Sequence, residues 1–396
     1  MRILILSDDF PPHAQGGAGI IAHGDALVLR TLGHEVVVVT SVQKKEEVGT
    51  FEENGIIIHR IYSNYPRRVR AYKSLNNKPL IKELRKIVRD LHPDVVHAHN
   101  IHEHISYYAL KLAKESGARV FLTAHDAMTL AYGKISEEDR PHSAWKDFME
   151  YRTSYNPFRN IVIKRYLKNV YRVFAVSDAL RTALQRNGIE NVVTMHNGIA
   201  PITESAYTAT SVSDHFVLFG GRLSGAKGAF VALAAMKEIL KDVPDTTLLI
   251  AGKADTDIAK KIHDRARELD IEKSIKFLGW LSHEDMERAI LSVRLVTVLS
   301  LYLDPFPTIN LEAMAAGKPV VGTKYGGTKE VVAHGETGYV VDPNNTSEVA
   351  GRMVEFLKDE AKAVAFGAAG RERVQKYFSL DERIKYLLKW YNGHER

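Results

Sequence analysis

The chain has 396 residues, of which 45% are hydrophobic and 26% are charged, a composition typical of a globular protein with two domains. It contains no cysteine, which excludes disulfide bonds, thiolate metal sites and cysteine nucleophiles, and fits a reducing cytoplasm. The formal net charge of +6 suits a polyanionic ligand or an anionic membrane surface, but it is too small to favour nucleic acid as a partner.

The first half of the chain alternates apolar, β-branched runs with helical patterns. The opening run turns acidic at Asp8 and Asp9, too early for a signal peptide, and predicts a strand; no later run is long enough to cross a bilayer. The predicted strands are 3–7, 35–40, 55–62, 94–97, 120–124, 173–177 and 192–196, and the predicted helices are 20–32, 80–91, 105–116, 159–169 and 179–187. Apolar strands with crossover helices predict a parallel sheet covered on both faces.

The pattern restarts after a polar segment, 200–214, which has the composition of a linker. The predicted strands are then 216–221, 247–251, 274–279, 295–300, 320–322 and 338–341, with helices 227–241, 257–269, 283–291 and 346–358 and an amphipathic tail over about 361–391. We therefore expect an α/β protein with two Rossmann-like domains facing a central cleft, divided between residues 200 and 201.

One stretch, from Asp304 to Gly317, combines two prolines, a short predicted helix and a glycine stop between two apolar strands. It places Asp304 in the turn and Glu312 inside an otherwise apolar helix. An ionised carboxylate offers two acceptor oxygens and no donor, so it suits paired sugar hydroxyls. A solvent-facing glutamate on an amphipathic helix is the alternative.

Three glycine-containing loops, 11–19, 221–228 and 323–330, follow predicted strands, where open α/β sheets bind ligands. Free amides at glycine turns and helix starts attract phosphate. The first loop is not the dinucleotide fingerprint and the second is not a Walker loop; a tight turn or a stabilised helix end would explain the first and third without a ligand. The second loop carries Arg222 and Lys227, whose charges, with two helix N-termini, suffice to neutralise a departing diphosphate, so we expect no metal ion.

Histidines also recur at predicted strand ends. His125 follows strand 120–124, while His97 and His99 end the strand before it. An imidazole there can accept a hydroxyl proton or hydrogen-bond a sugar, and a structural role is the alternative. A metal cluster with His102 and His104 has no support from strand or helix periodicity.

In this order, the motifs resemble the retaining glycosyltransferases of family four, whose GT-B fold has two Rossmann-like domains. The similarity runs nearly end to end. The segments that carry it are 16–19, 94–99, 123–126, 196–199, 221–223 with 227–228, 304–312 and 326–330.

The resemblance implies roles. Arg222 and Lys227 would hold the diphosphate of a UDP- or GDP-sugar, Glu312 would bind its ribose, and His125 would sit beside the reacting centre. The residues implied to contact the donor are Gly17, Arg222, Lys227, Gly252, Leu281, Asp304, Phe306, Pro307, Thr308 and Glu312, and those implied to act in catalysis are His125, Asp304, Arg222 and Lys227.

The resemblance also implies that the tail near Trp390 crosses back onto the first domain. The acceptor-binding domain would then be 1–200 completed by about 376–396, and the nucleotide-sugar domain 201–375. Two positions depart from the family pattern. Asp304 replaces a glutamate and shortens the reach to the sugar, while Pro307 and Thr308 replace a glycine-containing turn and remove one backbone donor.

Two stretches of the first domain, 54–82 and 151–177, contain no acidic residue but several basic and aromatic ones. This combination suits a membrane interface or an anionic acceptor, and a solvated basic face is the alternative. The residues that we assign to an acceptor or membrane face are Arg67, Arg68, Arg70 and Tyr72.

We therefore expect a cytoplasmic, retaining glycosyltransferase of the hexosyltransferase type, without a metal or resident cofactor. It would move a sugar from a nucleoside diphosphate to a hydroxyl of a glycan, a lipid-linked acceptor or a small molecule, with peripheral contact at the inner membrane face as an option. A nucleotide-sugar epimerase or hydrolase on a similar scaffold, and a non-catalytic nucleotide-sugar-binding protein, are the alternatives.

Overall fold

The computed structural model describes residues 1–14, 16–135, 143–202, 215–221, 223, 225–253 and 256–394. The chain divides into two compact units. The N-terminal unit comprises Met1–Gly198 and Leu380–Arg396, and the C-terminal unit comprises Ile199–Ser379. The expectation of an α/β protein with two parallel-sheet domains is confirmed, with one exception at a sheet edge.

The N-terminal unit is built on a sheet whose strand order is β3-β4-β2-β1-β5-β6-β7-β8 among the described residues. These strands are Arg2–Ser7, Glu35–Val42, Gly49–Glu53, Ile56–Tyr62, Val95–Ala98, Arg119–Ala124, Arg172–Ala175 and Val192–Thr194. β1 pairs in parallel with both β2 and β5, with Ile5 opposite Val38 on one side and His97 on the other. Side chains in the middle of β1 are fully buried, which explains the unbroken apolar run at the start of the sequence.

Helices cover this sheet. They are α1 Gly17–Thr31, α2 Arg70–Lys73, α3 Lys78–Leu91, α4 Tyr108–Glu115, α5 Ala144–Tyr151, α6 Arg159–Leu167 and α7 Asp178–Arg186. The short α2 and the helix α5 were not predicted. No helix among the described residues is both long and apolar enough to span a bilayer.

Strand β3 is the exception to the parallel arrangement, because it runs antiparallel to β4 at the edge of the sheet. Asn54 and Gly55 connect the two strands with positive φ angles of 51° and 74°, as tight hairpin turns require. An Asn-Gly pair between two extended runs is a recognised hairpin signal. The prediction of a wholly parallel sheet was therefore wrong at this edge.

The last helix, α15 (Leu380–Asn392), belongs to the N-terminal unit. The guanidinium of Arg383 forms a buried ion pair with Asp25 of α1. Tyr391 bonds the imidazole of His97 through its hydroxyl, and its carbonyl oxygen accepts a hydrogen bond from Arg119. These polar contacts, together with burial of the α15 aromatic residues, attach the tail to the sheet.

The C-terminal unit contains a parallel sheet with the order β11-β10-β9-β12-β13-β14 among the described residues. Its strands are β9 Phe216–Gly220, β10 Thr247–Ala251, β11 Ile275–Gly279, β12 Leu295–Val298, β13 Val320–Thr323 and β14 Gly338–Val341. Its helices are α8 Ala229–Asp242, α9 Thr256–Glu268, α10 His283–Leu291, α11 Thr308–Ala315, α12 Thr328–Val331, α13 Thr346–Lys358 and α14 Glu360–Tyr377. The strand order reverses between β9 and β12, so the loops that follow these two strands lie side by side.

Candidate active site

The loops after β9 and β12 meet at the carboxyl edge of the C-terminal sheet. Gly228, at the start of α8, has a φ of +87°, and a Cβ there would overlap the carbonyl oxygen of Leu299. The amide of Leu301 donates to the carbonyl of Ala226 at 2.8 Å. Glycine is therefore required at position 228 for the N-terminus of α8 to approach the β12 loop.

This approach brings Lys227 against Asp304. The ammonium Nζ and the carboxylate Oδ2 are 2.5 Å apart, and the hydroxyl of Ser300 donates to the same oxygen at 2.7 Å. The exposed fractions of the lysine and aspartate side chains are 20% and 7%. The sequence singled out both residues, and the structure brings them into contact.

The surroundings of Lys227 keep it charged. Burial opposes the charge, but Asp304 and the hydroxyl of Tyr302 outweigh burial and raise the pKa of Lys227 above its usual range. The ammonium therefore remains a cation at any physiological pH, partly exposed and held in place by its counter-ion. Such a group can bind a phosphate oxygen.

Glu312 lies on α11, one turn after its start, and retains some exposure to solvent. Burial raises the pKa of its carboxyl, while His283 and the hydroxyl of Thr308 oppose the increase. A partly buried acceptor close to a helix N-terminus suits a ligand that brings hydroxyl donors.

The third glycine-containing loop packs against the Asp304 turn. Gly326 has a φ of +72°, and a Cβ there would overlap the backbone of Asp304; a Cβ at Gly327 would overlap the carbonyl of Pro305. The amide of Gly327 donates to the carbonyl of Asp304 at 2.9 Å. Packing of backbone on backbone therefore explains this glycine pair, and it holds the Asp304 turn in position.

The turn continues after Asp304 into the start of α11. Phe306 is buried and packs against Phe378, with ring centroids 5.9 Å apart. Pro307 is the N-cap of α11 and makes no side-chain cap bond. The first two backbone amides of α11, those of Thr308 and Ile309, lack an intrahelical acceptor, as in any helix, and they follow Asp304 by four and five residues in the chain.

The loops after β9, β10 and β11 are held together by their backbones. The amide of Gly221 donates to Ala251, and the amide of Gly252 donates to Gly279, at 3.0 and 2.7 Å. Leu281, expected to contact the donor, is partly buried, and the neighbouring Trp280 is largely exposed. Arg222, expected to hold the diphosphate, lies outside the described residues, so its role stays a prediction.

In the N-terminal unit, histidines gather at the carboxyl ends of β5 and β6. His97 is fully buried and uses both ring nitrogens, one with the hydroxyl of Tyr391 at 2.7 Å and one with the hydroxyl of Thr123 at 2.8 Å. These contacts support the structural alternative for His97. His99 is also fully buried, and its Nδ1 lies 2.9 Å from Nε2 of His125, which remains partly exposed.

These imidazoles are neutral. Burial, together with the charge of Arg383, lowers the pKa of His99 to about 3. Burial, followed by the charges of His99 and Arg383, also holds the pKa of His125 well below its usual value. A neutral imidazole has one N–H donor and one acceptor nitrogen, so His125 can hydrogen-bond a hydroxyl but does not carry a positive charge near pH 7.

His102 and His104 do not join the other histidines in a metal site. His104 bonds the hydroxyl of Ser63 at 3.0 Å, and His102 lies 3.6 Å from Asp126. Within the described part of the chain, no three of the histidines 97, 99, 102 and 104 place ring nitrogens close enough together to share an ion.

The N-terminal glycine loop packs on the end of β1. Gly17 is the first residue of α1, and a Cβ on Gly19 would lie 2.8 Å from the carbonyl oxygen of Asp9. Gly19 therefore allows α1 to start directly above the strand end. Gln15 lies outside the described residues.

Sequence reasoning missed two buried carboxylates. Asp8 accepts hydrogen bonds from the amides of Glu103, His104 and Ile105 at 2.6 to 2.9 Å, and burial raises its pKa to about 7 although these amides lower it. Asp25 pairs with Arg383 of the tail. The signal for Asp25 was its position on the apolar face of α1, whose other members are Ile21, Ala22, Ala26 and Leu29.

Only part of the expected acceptor or membrane face is exposed to solvent. Arg67, Arg68 and Tyr72 are exposed. Arg70 is mostly buried and donates to Glu103 and to the carbonyl of Tyr132, both at 3.0 Å. Arg70 therefore ties loops together inside the unit.

Helix α5 lies beside this face, because the turn that follows it contacts residues 67–69. In this helix a charged side chain is buried and large apolar side chains are exposed, the reverse of an ordinary amphipathic helix. Asp147 is 3% exposed, whereas Trp145 is 69% exposed and Phe148 and Met149 are exposed as well. An exposed row of large apolar side chains on one helix is unusual unless a surface covers it.

The sequence is similar to known protein families and to proteins of named activity. It matches two family models, Glycosyltransferase Family 4 over residues 15–201 and Glycosyl transferases group 1 over residues 204–373. Glycogen synthase of Mycobacterium tuberculosis is 26% identical over 394 residues, covering 96% of this chain and 91% of that protein. Alpha-maltose-1-phosphate synthase of Mycolicibacterium smegmatis is 27% identical over 405 residues, covering 99% of both.

Solved structures share the fold. Sucrose-phosphate synthase from Thermosynechococcus elongatus superposes with a TM-score of 0.80 at 20% identity, over 100% of this chain and 99% of the other. HepE from Anabaena, in complex with UDP-glucose, superposes with a TM-score of 0.73 at 19% identity, over 99% and 100%. The two family models together span nearly the whole chain, and the protein therefore belongs to the family-four glycosyltransferases, which have the GT-B fold.

Proposed function

We propose that the protein is a retaining hexosyltransferase that moves a sugar from a nucleoside-diphosphate sugar to an acceptor hydroxyl. The observation that carries the proposal is the partly exposed Lys227 cation, which is paired with Asp304 and directly precedes the N-cap of α8. This arrangement suits the pyrophosphate of a donor. Glu312, one turn further along α11, is placed to accept from the ribose hydroxyls.

A UDP-sugar is the donor that we favour over a GDP-sugar, since the similar HepE was solved with UDP-glucose. The names of the relatives, glycogen synthase and alpha-maltose-1-phosphate synthase, support a carbohydrate acceptor. Both features are taken from other proteins and are proposals for this chain.

We further propose that no divalent cation is required. Lys227 supplies one positive charge, and the N-termini of α8 and α11 act as about half a charge each. The expected contribution of Arg222 would raise the total to about three, close to the charge of a departing nucleoside diphosphate. Charge neutralisation by the protein would then leave no essential step for a metal.

In the proposed reaction the bond between the anomeric carbon and the phosphate oxygen breaks, and the acceptor oxygen bonds to that carbon on the same face. The leaving phosphate takes the proton of the acceptor hydroxyl. Lys227 and the helix N-termini stabilise the charge that develops on the leaving group. His125 hydrogen-bonds a hydroxyl of the transferred sugar and orients it.

The test is a panel of UDP- and GDP-sugars incubated with pooled carbohydrate acceptors, with and without EDTA. We expect acceptor-dependent release of nucleoside diphosphate that EDTA does not abolish, and a product whose anomeric configuration by NMR equals that of the donor. Donor turnover without an acceptor would indicate the epimerase or hydrolase alternative. Donor binding without any turnover would indicate a binding protein.

Glu312→Gln provides a second test, with Glu284→Gln on the exposed face of α10 as the matched control. We expect Glu312→Gln to weaken binding of the nucleoside diphosphate in calorimetry about tenfold, because a neutral amide is a weaker acceptor than a carboxylate, and Glu284→Gln to leave it unchanged. Equal affinities of the two variants would contradict the ribose assignment.

We also propose that the N-terminal unit contacts anionic membranes. Arg67, Arg68 and Tyr72 supply exposed cations and an aromatic ring, and the neighbouring α5 exposes Trp145 and Met149. Basic and large apolar side chains side by side suit a lipid headgroup region.

Co-sedimentation with vesicles tests the membrane proposal. Arg67→Gln/Arg68→Gln is compared with Arg85→Gln/Lys114→Gln, which removes two exposed cations from α3 and α4. We expect the wild type to sediment with phosphatidylglycerol vesicles but not with phosphatidylcholine vesicles, and only the first variant to lose this preference. Binding of the wild type to neither lipid would contradict the proposal.

A further inference from the structure

His99 differs from the other buried histidines in how its two ring nitrogens are used. Nδ1 lies 2.9 Å from Nε2 of His125, and the two rings are within 19° of parallel. Nε2 is buried and has no hydrogen-bond partner among the described residues. The carboxylate of Asp25 lies near Nε2, with Oδ2 at 3.9 Å.

Burial raises the pKa of the Asp25 carboxyl, but the charge and hydrogen bonds of Arg383 oppose the increase, and pairing with this permanent cation keeps Asp25 an anion. Arg383 donates to it from Nε at 2.9 Å and from Nη2 at 3.0 Å, and all three side chains of this group, Asp25, His99 and Arg383, are buried. A guanidinium does not lose its proton in a protein, and its two-point pairing with a carboxylate requires the ionised acid. Nε2 of His99 therefore faces a fixed negative charge.

The charge decides which nitrogen of His99 carries the proton. If Nδ1 carried it, the bare lone pair of Nε2 would face the Asp25 carboxylate in a buried environment, which is unfavourable. If Nε2 carries the proton, its N–H dipole points towards the carboxylate, and Nδ1 becomes an acceptor. The hydrogen bond between the two rings then requires the proton on Nε2 of His125.

A neutral imidazole has one N–H, so a proton on Nε2 of His125 leaves Nδ1 of the same ring as an acceptor. His97 offers no competing route, because both of its nitrogens are already bonded to Tyr391 and Thr123. His125 is the member of the group that retains exposure, so its free acceptor is the one that a ligand can reach.

We infer that Asp25 and His99 are positioning residues that hold His125 in a single tautomer, with Nδ1 unprotonated, so that His125 accepts a hydrogen bond from a substrate hydroxyl. The tautomer follows from the described contacts alone. Only the nature of the ligand, a sugar hydroxyl, rests on the proposed function.

Two substitutions at His99 separate its two contacts. In His99→Asn the side-chain amide occupies the place of Nδ1 and can still accept from His125. In His99→Gln the amide reaches the place of Nε2, so it can still donate towards Asp25 but leaves His125 without its partner. Both variants keep a polar group in the buried site, and thermal unfolding checks that they fold.

The direct measurement is long-range proton–nitrogen NMR of the ligand-free protein labelled with ¹⁵N-histidine, with the His125 signals assigned by their loss in His125→Gln. We expect His125 to be protonated only on Nε2 in the wild type and in His99→Asn, and to show both tautomers in His99→Gln. Protonation of Nδ1 in the wild type would overturn the inference on its own. An unchanged single tautomer in folded His99→Gln would overturn it as well.

Turnover gives a second readout that a structural role would not reproduce. Once a donor and an acceptor are known, we expect His99→Gln to lose about tenfold in kcat with little change in the donor KM, the size expected for one hydrogen bond made in the transition state, and His99→Asn to retain most of kcat. Equal losses in both variants would overturn the link to catalysis. If no transferase activity is found, the NMR result still stands, so the two proposals fail independently.

Discussion

At the carboxyl edges of the two sheets, the surroundings shift side-chain pKa values in opposite directions. At the edge of the C-terminal sheet, Lys227 is partly buried next to a counter-ion, and its pKa rises. At the edge of the N-terminal sheet, buried His99 lies beside the partly buried His125 and near Arg383, and the pKa values of both histidines fall. Burial opposes charge in both places, so the sign of the result is decided by the neighbours.

The difference corresponds to two kinds of ligand group. A diphosphate is recognised by fixed positive charge, which requires a cation that stays ionised when water is excluded. A sugar hydroxyl is recognised by neutral donors and acceptors, and these require one fixed tautomer. In this chain the cation lies next to an opposite charge, whereas the imidazoles lie next to each other and near the Asp25–Arg383 ion pair.

The largest expected effect comes from removing the cation of the C-terminal edge. We expect Lys227→Met to lower kcat by about 100- to 1000-fold, the usual loss when one preorganised transition-state contact is removed, while Lys237→Met, on the exposed side of α8, has no effect. The variant also leaves Asp304 buried without its partner. We therefore expect Lys227→Met/Asp304→Asn to regain stability in urea unfolding but not turnover; recovery of both would contradict a role in phosphate binding.

The second prediction concerns the backbone that holds Asp304. Gly326→Ala places a Cβ against the Asp304 backbone at a φ of +72°, and we expect a loss of about 3 kcal/mol in the free energy of unfolding together with loss of nucleotide binding. Gly351→Ala, on α13 with nothing within 4 Å, is the control and should gain about 0.5 kcal/mol or more. Similar stabilities of the two variants would show that the glycine contact does not hold the turn.

The third prediction separates structural from functional histidines at the N-terminal edge. Tyr391→Phe removes the hydroxyl that bonds His97. We expect the free energy of unfolding to fall by about 1 to 2 kcal/mol, because a buried polar nitrogen loses its partner, and kcat to stay unchanged at a temperature where the variant is folded. A fall in kcat under those conditions would mean that His97 takes part in the reaction.

The smallest expected effect is a change in how turnover depends on pH. In the wild type, low pKa values keep His99 and His125 neutral, so we expect turnover to be flat between pH 6 and 8. Burial is the main reason for the low pKa of His125 and persists in His99→Gln, but the variant removes the His99 imidazole that lowers this pKa further, so the pKa should rise. Protonation removes the Nδ1 acceptor as the pH falls, so turnover of the variant relative to wild type should be lower at pH 6 than at pH 8. A fall in the turnover of the wild type as the pH drops through about 6.5 would contradict the conclusion that His99 and His125 are neutral.

Local signals predicted much of the fold. Helices α10 and α13 and strands β10 and β14 have the predicted bounds, because their apolar periodicity is bounded by turn residues. Helix α5 was missed although Trp145, Phe148 and Met149 have the spacing of one helix face. Strand β3 was missed although its Asn-Gly turn was visible.

The site was predicted residue by residue but not contact by contact. Lys227 and Asp304 were each singled out by their motifs, yet their ion pair joins positions 77 apart and depends on the close approach at Gly228. The pairing of Asp25 with Arg383 spans 358 positions. Without this pair, the protonation of His99 and His125 could not be inferred, because it is set by tertiary contacts that no local pattern encodes.

The central claim is that Lys227 holds the diphosphate of a nucleotide sugar. It is tested most directly by calorimetric titration of the wild type and of Lys227→Met with both UDP and uridine, because the ratio of the two affinities isolates the contribution of the diphosphate. We expect the wild type to bind UDP about 100-fold more tightly than uridine, and Lys227→Met to reduce this ratio about tenfold or more. An unchanged ratio in Lys227→Met would contradict the claim.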